Sequence, residues 1–168
     1  MIFHTENWPI VYFESEEGGM TDDVFEQYKK LYLELLIRCK NENSQMILMI
    51  DLNKTSEIQM NYLQKMSKFN KEIYKFNQLY IKYIYIFTKQ KAIKNILSMY
   101  LTMEKPAAPY KIIRSYKKFK DHLQLKCGLN ADEINFDFFI RNEMRNGGIQ
   151  EEEDEPETPQ NTQQEISI

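Results

Sequence analysis

Asp51, Asn53, Thr55 and Ser56 crowd the end of the apolar segment formed by Met46 to Ile50 and Leu52. They place a carboxylate, an amide and two hydroxyls where a strand should stop, and open α/β sheets meet ligands or partners at such carboxyl ends. Asp51 suits a ligand at the sheet edge, and it equally suits the backbone N–H groups of its own turn. Thr55 and Ser56 suit phosphate acceptance or partner contact, and equally the capping of a following helix. A second set is basic: Lys105, Lys111, Arg114, Lys117, Lys118, Lys120 and Lys126, with Tyr110 and Tyr116 among them. Such a cluster attracts phosphate on lipid or another polyanion, or simply solvates a helix face.

Other chemistry lacks its residues. His4 and His122 are the only histidines, and with Cys39 and Cys127 they give no close pair of the kind a zinc site uses, so no metal is expected. Glycine occurs only at 18, 19, 128, 147 and 148, which leaves neither GxxxxGK nor GxGxxG to cradle a phosphate. A GxSxG elbow is also missing, and neither histidine stands with a recognisable nucleophile. The expectation is a non-catalytic protein without a cofactor. The 11 Tyr and 10 Phe are expected to fill core and sheet surface, so nucleic acid is not the expected partner.

The elements that must position these residues follow from periodicity. Trp8 to Glu14 reads as a strand with Pro9 near its start, preceded by a short one at Ile2 to Thr5. Thr21 caps a helix with Asp22 and Asp23 in its first turn, and Val24, Tyr28, Leu31, Leu35 and Cys39 recur at helical spacing. That helix is expected to run to about Cys39. The run Met46 to Leu52 has no polar alternation, as in a central strand covered on both faces.

Thr55 or Ser56 should then cap a second helix with Ile58, Tyr62, Met66, Phe69, Ile73 and Phe76 on one face and Lys65, Lys68, Lys71 and Lys75 solvated. Tyr80 to Thr88 reads as the next strand. A helix from Ala92 must stop before Pro106. Tyr110 to Arg114 is a short strand, and Ser115 should cap a fourth helix stopped by Gly128. Alternating strands and helices imply right-handed crossovers: an α/β fold with a small, mostly parallel sheet of four to five strands flanked by helices. Asn130 and Glu133 suggest a capping box for a C-terminal helix, Ala131 to Met144.

Beyond Ile149 the composition changes. Seven of the 25 acids lie there with no Lys or Arg, leaving 18 acids against 22 basic residues in the rest of the chain. The expected organisation is therefore a domain at 1–128, a helical extension at 129–148 and a disordered acidic tail at 149–168. No apolar stretch reaches the length of a membrane span, and MIFHTENWPI lacks the pattern of a secretory leader. The expected setting is cytoplasmic, with both cysteines as buried thiols.

From about Trp8 to Leu125 the chain resembles the single-domain anti-sigma-factor-antagonist-like (STAS-like) family, whose fold is also compared with the lipid-binding CRAL-TRIO fold. The resemblance rests on WPIVYFE before a loop and a helix opening MTDDVFE, on MILMIDL, and on AIKNILSMYLTMEKPAAPYKIIRSYKKFKDHL. It implies a regulatory or protein-interaction domain, with an unidentified protein partner. The CRAL-TRIO comparison implies the alternative, a module for a small apolar ligand or lipid. In anti-sigma-antagonist relatives a Ser or Thr in the turn after the central strand is phosphorylated, which corresponds here to Thr55 or Ser56. No Gly follows Ser56, a departure from the usual turn.

Overall fold

Every residue of Met46–Asp51 except Ile50 is buried, so this segment needs cover on both faces and takes the middle of a sheet. The computed structural model describes residues 2–15, 20–114, 116–129 and 134, with the backbone alone at 116 and 117. Within them lie five strands, β1 (Ile2–His4), β2 (Ile10–Glu14), β3 (Met46–Asp51), β4 (Ile81–Phe87) and β5 (Tyr110–Ile113). Five helices join them: α1 (Asp22–Glu42), α2 (Met60–Glu72), α3 (Tyr74–Tyr80), α4 (Lys91–Glu104) and α5 (Tyr116–Cys127). The fold is α/β with a mixed sheet, since β1 runs antiparallel to β2 and all other pairs are parallel. Strand order in space is the order in sequence, β1-β2-β3-β4-β5.

Right-handed crossovers between parallel strands in sequential order place their helices on one face. The core follows that rule. Val11, Phe13, Met46 and Leu48 pack with Phe25, Tyr28, Tyr32 and Leu36 of α1 and Phe69 of α2. Ile86 packs with Ile93 and Leu97 of α4, and Ile50 and Ile84 join the two groups. On the opposite face Tyr85 and Phe87 meet Phe119 of α5 edge-on, at ring separations of 5.0 and 5.3 Å. Tyr85 Oη there contacts His122 Nδ1 at 3.1 Å and Cys127 Sγ at 3.7 Å.

Helix ends show where local signals hold. Thr21 Oγ1 accepts the Val24 N–H, and α1 continues past Cys39 to Glu42, where Asn43 takes a left-handed conformation and donates to the carbonyls of Cys39 and Lys40. Gly128, at φ +68°, ends α5. The expected cap at Ser115 and the expected elements within 130–168 lie outside the described residues, apart from residue 134.

The second helix departs from expectation in two ways. It begins at Met60 with Gln59 as N-cap, so neither Thr55 nor Ser56 caps it. The physical reason is burial: Leu52 and Ile58 both pack against the Ile86–Ile93–Leu97 group, which holds the chain non-helical past Ser56. The apolar run also does not form one helix. It breaks at Ile73, and buried Asn77 accepts a 3.1 Å hydrogen bond from Tyr32 Oη, leaving Phe76 49% exposed.

Candidate functional site

The turn after β3 is built on Asp51, whose side chain lies on the face opposite α1 and α4 because it alternates with Ile50. The β2–β3 register pairs Tyr12 with Met49, two residues before Asp51, which puts Tyr12 and Asp51 on the same face. Tyr12 Oη donates to Asp51 Oδ2 at 2.6 Å, and the Asn53 N–H donates to Oδ1 at 2.8 Å. Burial raises the Asp51 pKa above its ordinary 3.8, while these two donors act in the opposite direction.

The rest of the turn is tied to its neighbours. Asn53 Oδ1 accepts the Lys89 N–H at 2.9 Å, and Gln90 Nε2 donates to the Thr55 carbonyl at 2.6 Å. Thr55 Oγ1 donates to Ser15 Oγ at 2.9 Å, beyond the end of β2. Backbone bonds extend the sheet past its strands, from Ser15 N–H to the Asp51 carbonyl and from Leu52 N–H to the Phe87 carbonyl. Lys54 pairs with the largely buried Glu14 at 2.5 Å. The turn is thus fastened to the ends of both adjoining strands, while Lys54, Ser56 and Glu57 are exposed on its outer side.

Of the four candidate residues, Asp51, Asn53 and Thr55 come together as the framework of this turn, and Ser56 stands outside it. Tyr12, Ser15, Lys89 and Gln90 belong to the same framework and were not singled out by the sequence. The Lys89 ammonium is buried there without a hydrogen-bond partner.

The basic residues are arranged differently. Lys105, the left-handed C-cap of α4, precedes β5, Lys111 lies within β5 and Arg114 follows it. Four extended residues span about 13 Å, so these cations line an edge and do not converge on a point. Lys118 and Lys120 lie in α5, and the side chain of Lys117 is outside the described residues.

Both cysteines are buried, and burial raises both thiol pKa values, the opposite of an activated nucleophile. Among the described residues no three His, Cys, Asp or Glu side chains are grouped to hold a metal ion. None of the described helices is long and apolar enough to cross a membrane. No protein-family model, curated protein or solved structure matches the chain.

Proposed function

We propose that the chain is a non-catalytic regulatory domain of STAS-like type that binds a protein partner through the exposed residues of the turn after β3. The supporting observation is the framework beneath that turn. Asp51, Asn53 and Thr55 are engaged by Tyr12, Lys89, Gln90 and Ser15, which fixes the backbone that carries Lys54, Ser56 and Glu57. A surface held in one conformation loses little entropy when a partner binds. The five-stranded sheet with flanking helices accords with the STAS-like reading. Of the two hydroxyls suited to phosphate, Ser56 is the accessible one, since Thr55 is half-buried and donates to Ser15.

A photo-crosslinking side chain placed at Ser56 or Glu57, with one at exposed Gln78 on α3 as control, tests this reading in cells that express the full chain. The expected result is a discrete protein adduct from positions 56 and 57, suppressed by excess unlabelled protein. Failure to form that adduct, or an equal yield of it from position 78, refutes the assignment.

A further inference from the structure

Strand register gathers a set of ionisable side chains beside the turn after β3. Antiparallel pairing sets His4 of β1 opposite Tyr12 of β2, and parallel pairing sets Glu14 of β2 opposite Asp51 of β3. Side chains opposite each other share a face, as do residues two apart on one strand, so His4, Tyr12, Glu14 and Asp51 all stand on the face opposite α1 and α4. Glu14 is the centre of the set. Its side chain is 12% exposed, its Oε1 pairs with Lys54 at 2.5 Å, and its Oε2 lies 4.0 Å from His4 Nε2.

The two oxygens of one carboxylate thus face two groups of different kinds. A lysine ammonium is charged throughout the neutral range, whereas an imidazole ordinarily takes its proton at about pH 6.5. Among the described residues the other ionisable groups beside His4 are Glu6, whose Oε1 lies 3.5 Å from Nδ1, and Tyr12, whose ring centre is 5.6 Å away and whose hydroxyl donates to Asp51. Glu6 is 73% exposed and is screened by water, while the largely buried Glu14 keeps its field. That field reaches across the set. Besides burial, the largest cause, the Glu14 charge raises the Asp51 pKa, with Lys54 acting against it.

We propose that His4 is a proton-operated control on the turn after β3: its imidazolium competes with Lys54 for Glu14, and proton uptake frees the Lys54 ammonium from the sheet edge. One carboxylate charge then serves two cations that repel each other across it, which weakens the pair more open to water. The Lys54 side chain is 44% exposed against 26% for His4, so Lys54 is the one to leave. Coupling of this kind is reciprocal, so the Lys54 charge must equally resist proton uptake at His4. The surface controlled is the one assigned above to a protein partner, and the consequence for binding rests on that reading, whereas the proton coupling is a property of the chain alone.

The test is a titration of the isotopically labelled full chain between about pH 5 and 8, followed by NMR at constant ionic strength. The expected result is a shift of the Lys54 Cε resonance and of the Lys54, Thr55 and Ser56 amides with the same midpoint as the His4 ring, the His122 ring serving as internal control. His4→Gln should remove that step from the turn, and Lys54→Met should move the His4 midpoint to higher pH. The proposal is overturned if the wild-type turn does not shift with His4, if the step survives His4→Gln, or if Lys54→Met leaves the His4 midpoint in place or lowers it. None of these measurements needs a partner, so their failure is distinct from failure of the crosslinking at positions 56 and 57.

Discussion

α1 and α4 each join two parallel strands on the same face of the sheet, yet they are held very differently. α1 buries Phe25, Tyr28, Tyr32, Leu35, Leu36 and Cys39, and is capped by the Thr21 hydroxyl at one end and by Asn43 at the other. α4 buries only Ile93 and Leu97, has no side-chain cap at its start, and ends on a lysine in the left-handed region. Gln90, at its N-cap, instead donates its side-chain amide to the Thr55 carbonyl. The difference teaches that α1 is built as scaffold, whereas α4, with Met99 and Met103 exposed, is held by fewer buried residues where it supports the turn.

The largest effect that can break this comparison is truncation of a ring. Tyr28 stacks on Tyr32 and meets Phe13 and Phe69 edge-on, so Tyr28→Ala should cost about 3–5 kcal/mol in urea unfolding. Met103→Ala, at an exposed α4 position, should stay within about 0.5 kcal/mol. Similar losses for the two would mean that the helices are equally integrated. A smaller effect lies in the cap. Lys105 has φ 46°, so Lys105→Gly should add about 1 kcal/mol by relieving left-handed strain, with the denaturant slope unchanged. A neutral or destabilising result would show that the lysine side chain compensates for its backbone.

The smallest effect is a slope with pH and sharpens the contrast at the turn. Because burial raises the Asp51 pKa above 3.8, the folded state keeps this proton to higher pH than the unfolded chain. The associated stability is complete below 3.8 and is lost as pH rises through the folded value. Asp51→Asn cannot ionise, so its stability relative to wild type should climb across that window and level off above it. Taking the difference removes Asp22, Glu42 and Glu104, whose lowered pKa values act the other way, losing stability as pH falls. A flat difference would show that Asp51 titrates alike in both states.

Local signals account for much of the fold. The unbroken apolar run of β3, the Thr21 cap with its two following acids and the stop at Gly128 depend on near neighbours in sequence. What sequence could not show depends on distant partners. The break at Ile73 reflects Asn77 meeting Tyr32, 45 residues away, and the late start of α2 reflects Ile58 reaching a core completed by α4. At the turn, Asp51 stood out by its position at a strand end. Its partner Tyr12 lies 39 residues earlier and is identified only by strand register. The cleft between α2 and α4 had one visible trace, Met99 and Met103 four apart on one helix, but its other wall belongs to α2.

The neighbour-by-neighbour strand order also bears on synthesis at the ribosome. Each strand pairs with the one made just before it, so no later strand has to be threaded between two that have already joined. The nascent sheet can lengthen at a single advancing edge, from β2 towards β5, in step with vectorial synthesis. β4 then finds its hydrogen-bonding partner already in place when it emerges, which shortens the time that IKYIYIF spends as an unpaired, aggregation-prone segment.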